Sequence, residues 1–408
     1  MTEAPRNLWR NREFNLLWIS QSLSDLGTAI ATLAVPLLVL ALDYTPVLAG
    51  LVSTIGLVTV VLCRLPAGVL VDRFDRRRIM LICDAVRLIV YLALGLVVLR
   101  DATTLPLVIA VTVIGSACNA FFGTAEHSAL RNIVWPDQLP AAVARNEARV
   151  YGTALAGPPI GGLLFGLGRS LPFFGNAVTF LMSLAGVALV RRPLQEPRAG
   201  PPVRHATALL EGLRFVFGDQ FLRAILLIAA PLNFAIHGII FTVIVTLQMH
   251  STPPAVIGTV ETTVAVGGLL GALVAPALHR RLPLPVLIRG ICWTAATLMA
   301  ISALLTSSVL AAVPIAAAVF LGPASNAALF GHLAAITPDR LQGRVVSVVI
   351  VVATSVASAA PLLAGSMITT WGGPAAVLVF AACVAGSAVA ASVSRGIRSM
   401  RPVEELAV

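Results

Sequence analysis

The chain has no lysine: all 28 of its basic residues are arginine, and with 18 acids the charged residues make up only 11% of its 408 positions. So little charge, against 58% hydrophobic residues and a mean hydropathy of +0.93, excludes a water-soluble fold, because the polar surface could not cover a globule. Cysteine is scarce and unpatterned. Cys63, Cys83, Cys118, Cys292 and Cys383 all lie in apolar stretches, with no CxxC and no ligand-like histidine spacing, so no metal site is expected and they read as small packing residues. HExxH, GxSxG and P-loop patterns are missing, as is any soluble domain, which argues against an enzyme or an ATP-driven machine. No filter-like ring or re-entrant segment points to a channel. The net charge of +10 sits between apolar stretches instead of forming a basic domain, so nucleic acid is not an expected partner.

What remains is apolar runs of spanning length. They cover residues near 14–42, 46–71, 79–99, 105–133, 141–167 and 172–190, and then 221–248, 255–278, 285–306, 309–336, 345–370 and 374–393. The expected fold is an all-α polytopic membrane protein with twelve transmembrane helices in two pseudo-symmetric six-helix bundles, residues 1–190 and 221–408. Residues 191–220 form a cytoplasmic linker, rich in proline from Pro193 to Pro202, with an amphipathic helix whose Leu209, Leu210, Leu213 and Phe217 share a face. The arginines of 6–12, 73–78, 191–223, 280–281, 340–344 and 395–401 fall on one side of this plan, with only Arg100 and Arg169 on the other. That asymmetry puts both termini in the cytoplasm. The basic N-terminal tail reads as retained, because the apolar run after it is too long for a signal peptide.

An internal repeat supports the two-bundle plan. Gly68-Val-Leu-Val aligns with Gly271-Ala-Leu-Val, and Gly157-Pro158-Pro-Ile-Gly161-Gly162 with Ala360-Pro361-Leu-Leu-Ala-Gly365, both at an offset of 203 residues. On that register Ala275 stands where Asp72 would be.

The loop Gly68-x-Leu-x-Asp72-Arg73-x-x-Arg76-Arg77 resembles the signature loop of the major facilitator superfamily, and the repeat, span count and linker extend the resemblance over the whole chain. Asp84-x-x-Arg87, Thr337-Pro-Asp-x-x-x-Gly343-Arg344 and the loop form Asp72 to Arg78 are similar to the branch of enterobactin exporters and macrolide-efflux proteins. The stretch Gly157 to Gly162 is similar to the fifth-span motif of drug-proton antiporters, with its leading glycine displaced to Gly152. Two departures stand out. Asp75 replaces the loop's second glycine, where it is expected to tolerate a left-handed turn. The fourth-span arginine of many proton-coupled members is missing, since residues 114–122 carry no charge.

Ionisable groups inside a bilayer are costly and need a partner, a water-filled cavity or a function. Asp25, about 16 Å into the first span at 1.5 Å per residue, leads the candidates for proton exchange. Glu126, with His127 beside it and Arg131 further along, and Glu261 are the other two, each with a salt-bridged or solvated helix end as the plainer account. Arg64, Asp84 and Arg87 read as an internal charge network that braces a gate. The resemblance implies that spans one, four, seven and ten line a central cavity. Asn233 with His237, Asn326, Phe121, Phe122 and Phe234 then become wall candidates, against an equally good reading as helix packing. It also implies a gating role for Gly68, Asp72, Arg73, Arg76 and Arg77, while Gly157, Pro158, Gly161 and Gly162 suit a helix that bends or packs closely. The expected function is a monomeric, proton-gradient-driven exporter of a small, partly apolar molecule such as a drug, antibiotic or siderophore, in a bacterial inner membrane. Its partners would be substrate, protons and membrane lipids, and it would need no cofactor. Uptake or lipid flipping on the same scaffold remains the alternative.

Overall fold

The computed structural model describes residues 8–195, 213–281, 284–324, 326, 333, 337 and 342–393. Among them every regular element is helical, as a bilayer requires of any single chain that does not close a barrel. The helices are α1 (Arg12–Ala41), α2 (Pro46–Arg73), α3 (Arg76–Leu99), α4 (Leu105–Ile133), α5 (Leu139–Leu167), α6 (Leu171–Leu189), α7 (Gln220–Met249), α8 (Pro254–Arg281), α9 (Leu284–Ser302), α10 (Ala312–Phe320), α11 (Gln342–Ser358), α12 (Ala360–Trp371) and α13 (Gly373–Val393). Among the described residues eleven helical stretches are long and apolar enough to cross a membrane, and a shorter apolar helix, Val309–Ala324, falls in the tenth of the twelve apolar runs. The chain is an integral membrane protein.

Side chains fix the starts of α1 and α3. Asn11 accepts from the Phe14 amide at 3.1 Å, and Asp75 accepts from the Arg78 amide at 3.2 Å. Asp75 is therefore an N-cap with extended backbone (φ −61°, ψ 117°), which corrects the left-handed turn expected there. The eleventh span is two helices, α11 and α12, because Pro361 lacks the amide that would continue the ladder. The fifth span stays continuous through Pro158 and Pro159. The Leu155 carbonyl, which Pro159 cannot meet, accepts instead from Thr262 Oγ1 at 3.0 Å.

Two compact units divide the chain. The first takes the described residues of Met1–Tyr44, Ile55–Pro201 and Pro253–Thr262, and the second those of Thr45–Thr54, Pro202–Thr252 and Thr263–Val408. In the first, the backbone of Pro254 closes on Gly162 and that of Pro158 on Gly258. In the second, Pro46 closes on Gly365 and Pro361 on Gly50. None of these four glycines has room for a Cβ, so each marks a backbone-to-backbone crossing.

These crossings correct the register of the repeat. Pro158 and Pro361 do stand 203 apart, but Pro46 and Pro254 stand 208 apart, as do Gly50 and Gly258. Burial on the third helix of each half gives the same 208: Met80, Cys83, Asp84, Arg87, Tyr91, Leu94 and Val98 are buried, and so are Ile288, Ile291, Cys292, Ala295, Met299, Ser302 and Thr306. In this register Asp72 is matched by Arg280, not Ala275. The two glycines first aligned also differ physically, since Gly271 backs onto the Phe320 main chain whereas nothing lies within 4 Å of a Cβ on Gly68.

The described part of the linker helix, residues 213–218, buries Val216 with Leu222, Ile225, Val345 and Val348, while Phe217 is 55% exposed. Its apolar stripe runs from Leu213 to Val216 at i,i+3, not to Phe217. Leu209 and Leu210 lie outside the described residues.

Candidate functional site

Three helices of the first unit bring charges together. Arg149, on α5, donates from Nη1 to Asp25 Oδ2 on α1 at 2.8 Å, and from Nη2 to Glu126 Oε1 on α4. Glu126 and Arg149 are 3% and 5% exposed, whereas the Asp25 side chain keeps 30% of its surface open. Asp25 lies near the middle of α1. Close packing makes the reach possible: Gly157 receives the Ala29 methyl and Gly161 faces the Ile30 main chain, so α5 crosses closely over α1. The glycines read from the sequence as a bending motif thus set the α1 to α5 distance over which a guanidinium spans two carboxylates.

Arg149 was not among the residues singled out from the sequence. Its signal was available, since an ionisable residue inside an apolar stretch is what singled out Asp25. Counting arginines by loop passed over it, because it lies within a span. The guanidinium missing from the fourth span is supplied from the fifth.

A second buried cluster lies on α3, α4 and α6. Arg87 pairs with Asp84 at 2.6 Å, Ser183 donates to the other Asp84 oxygen at 2.6 Å, and the guanidinium lies over the Phe122 and Phe180 rings at 4.7 and 4.3 Å. Arg87 and Asp84 are 1% and 0% exposed. Stacking between two aromatic faces compensates part of the hydration the cation gives up. Two expectations differ from this arrangement. Phe122, read as a cavity wall, is 1% exposed and covers Arg87. Arg64, read as a member of the network, has an exposed side chain, because its place on α2 turns it outward.

The loop arginines hold helix ends. Arg76 donates to the Ser128 and Leu194 carbonyls at 2.7 and 3.1 Å, and Arg77 to Val187 at 3.3 Å and to Ala188, in the last turn of α6. Cations suit that negative end of the helix dipole. Asp72 is half-buried in the last turn of α2, Arg73 is exposed, and Gly68 lies one turn before Asp72.

The remaining candidates do not gather with these. Glu261 is half-buried in the first third of α8, and no described residue forms an ion pair with it. On α7, Asn233 donates back to the Ala229 carbonyl at 2.9 Å, and the exposed His237 uses Nδ1 on the Asn233 carbonyl at 3.0 Å. Phe234 packs on Phe380 at 5.2 Å, Phe121 lies against the first unit's core, and Asn326 is exposed. Half of the motif from Thr337 to Arg344, residues 338–341, lies outside the described residues.

Comparisons with known proteins agree with this plan. The family model described as Major Facilitator Superfamily matches residues 17–361. The chain is 28% identical to the multidrug efflux pump Tap of Mycolicibacterium fortuitum over 60% of its own length and 62% of that protein's, so it spans less than two thirds of that relative. To Tap of Mycobacterium tuberculosis it is 29% identical over 68% of each chain. Among solved structures, a bacterial homologue of the human lysosomal transporter Spinster aligns with TM-score 0.73 at 16% identity, covering 96% of this chain and 97% of that one. A bacterial homologue of the iron transporter ferroportin aligns with TM-score 0.70 at 17% identity, over 95% and 99%. At such identities these likenesses speak for the fold.

Proposed function

The chain belongs to the major facilitator superfamily, and from that premise we propose that it is a secondary transporter that expels small, partly apolar molecules in exchange for protons. It would work in a bacterial cytoplasmic membrane with both termini in the cytoplasm, the side on which most loop arginines fall. The proton gradient is its energy source, with no bound cofactor. Support for efflux comes from the likeness to the Tap pumps.

The observation that carries the coupling is the ratio of charges around Arg149. Two carboxylates share one guanidinium, so the cluster is one positive charge short of neutral. A proton on Asp25, the more open carboxyl, supplies that charge and leaves Arg149 to Glu126 alone. Release of the proton restores the shared pair. An arrangement with two charge states and two pairings is what a protein needs to bias alternating access by protonation.

The test uses purified protein in liposomes with an imposed pH gradient and ethidium as substrate. Wild-type vesicles should move ethidium against its gradient, and Asp25→Asn should lower that rate by about 100-fold, the scale on which a positioned proton-transfer group contributes. Wild-type vesicles that leave ethidium at equilibrium would sink the efflux reading. Unchanged driven transport in Asp25→Asn would remove Asp25 from coupling.

A further inference from the structure

We infer that His127, on α4, is the relay through which protons pass between water and the carboxylate pair of Asp25 and Glu126. The inference rests on the proton-coupled reading above and adds to it the group that connects a largely buried site to solvent.

Position comes first. His127 follows Glu126 in the chain and lies six residues before the end of α4 at Ile133, about 9 Å along the helix axis at 1.5 Å per residue. That places it between the cluster and the end proposed as cytoplasmic. Glu126 and Arg149 are buried, and the His127 side chain is exposed. The inference takes that exposed ring to face water, since an imidazole turned to lipid at this depth would be costly.

The hydrogen bonding fixes what the ring can do. Nδ1 lies 2.8 Å from the Gly123 carbonyl, which can only accept, so Nδ1 carries the hydrogen. The neutral ring then leaves its lone pair on Nε2, away from the helix backbone and ready to take a proton. Histidine is the side chain whose ordinary pKa, about 6.5, allows it to load and unload near neutral pH. His237 and His250 make the same bond to the carbonyl four residues back, yet their neighbours on α7 at that spacing are Asn233 and Thr246. Of these three, His127 is the one adjacent in the chain to an acid of the cluster, Glu126.

The groups it works among are few. Elements packed around α4 present Asp25 from α1, Arg76, Asp84 and Arg87 from α3, with Arg76 donating to the Ser128 carbonyl next to His127, and Arg149 from α5, while α2 carries the exposed Arg64 and α6 has no ionisable residue. Asp84 and Arg87 are closed on each other. Asp25 is the carboxylate with an open face, so it is the receiver. Nε2 takes a proton from hydronium in the water it faces, the ring becomes imidazolium, and it then gives up that proton through water to the Asp25 carboxylate. The ring returns to neutral with Nδ1–H still on the Gly123 carbonyl. The reverse sequence discharges the site.

The experiment measures gradient-driven ethidium transport in proteoliposomes by wild type, His127→Gln and His127→Ala across pH, with and without added imidazole. Glutamine keeps a donor for the Gly123 carbonyl but cannot titrate, which guards against a folding defect. The inference expects kcat to fall about tenfold or more in both variants with KM for ethidium unchanged, and the pH profile of driven transport to change in both. Imidazole in solution should restore His127→Ala, because a diffusible proton carrier can stand in for an exposed relay and not for a packing residue. Wild-type kcat and pH profile in His127→Gln, or failure of imidazole to raise His127→Ala, would overturn the relay while leaving proton coupling standing. Absence of gradient-driven transport in wild type would overturn the coupling and the relay together.

Discussion

Where the first half of the chain buries Asp84 and Arg87 on α3, the second buries Cys292 and Ala295 on α9 at the matched positions 208 residues on. Arg149 on α5 has Val352 as its counterpart on α11 at 203, and Asp25 on α1 has Asn233 on α7 at 208. The two halves share backbone crossings, at Gly50 and Gly258 and at Gly162 and Gly365. The second half is thus an internal control. It shows that a bundle of this plan closes with neutral residues at the positions that carry charge in the first half. Charges that the fold does not require, and that are costly to bury, point to work done on protons or substrate.

The largest break in the comparison comes from giving the first half the second half's residue at its central cation. Arg149→Val leaves Asp25 and Glu126 facing each other without a counter-charge, and removing one partner of a buried pair costs about 3 to 5 kcal/mol. Thermal unfolding in detergent should show a large loss of stability. Adding Glu126→Gln should recover part of it, because the more deeply buried of the two stranded carboxylates is then neutral and the repulsion between them is gone. Driven ethidium transport should be lost in both. An Arg149→Val protein as stable as wild type would mean the triad carries no electrostatic strain.

A smaller effect is expected on α3, where the whole pair can be exchanged. Asp84→Cys and Arg87→Ala alone each strand a buried charge, and each should lower stability by about 3 kcal/mol or more. Together they recreate Cys292 and Ala295 and strand no charge, leaving chiefly the space under Phe122 and Phe180. The double variant should therefore be less destabilised than the sum of the singles, with a coupling energy of about 1 to 3 kcal/mol in a double-mutant cycle. Strict additivity would show that Arg87 is held by its aromatic neighbours and not by Asp84.

Much of this was legible in the sequence for a physical reason. Apolar runs of spanning length and clustered loop arginines report the bilayer directly, so helix bounds such as Leu105–Ile133 followed from composition. Asp25 and Glu126 stood out because charge in an apolar stretch is conspicuous. Their pairing did not, because Arg149 reaches them from a helix more than twenty residues further along the chain, and periodicity says nothing about which helices touch. The register of the repeat failed for a similar reason. Gly68 and Gly271 match as letters, but only Gly271 lies where another backbone passes. Asp75 was read as a tolerated left-handed turn residue when its side chain is an N-cap on extended backbone, a distinction that depends on φ and is invisible in the residue type.

The smallest effect tests where the halves agree. In the first unit Thr262 donates to the Leu155 carbonyl that Pro159 leaves without an amide, and in the second unit Thr54 accepts from the Leu362 amide at 3.1 Å, just past the break before Pro361. The two threonines stand 208 apart, at the same place on α2 and α8. Each answers a proline-interrupted helix, one as donor and one as acceptor. Thr262→Val and Thr54→Val each leave a backbone group of that break unpaired and should each cost about 1 to 2 kcal/mol. Serine at either position should keep most of the stability, since the hydroxyl is the part that matters. Equal losses on thermal unfolding would show that proline breaks are bridged by the same device in both halves, so that the halves differ in charge and not in how their helices are stitched. A loss confined to Thr262→Val would make the α5 carbonyl the sole group in need of a partner and would extend the asymmetry of the halves from their charges to their backbones.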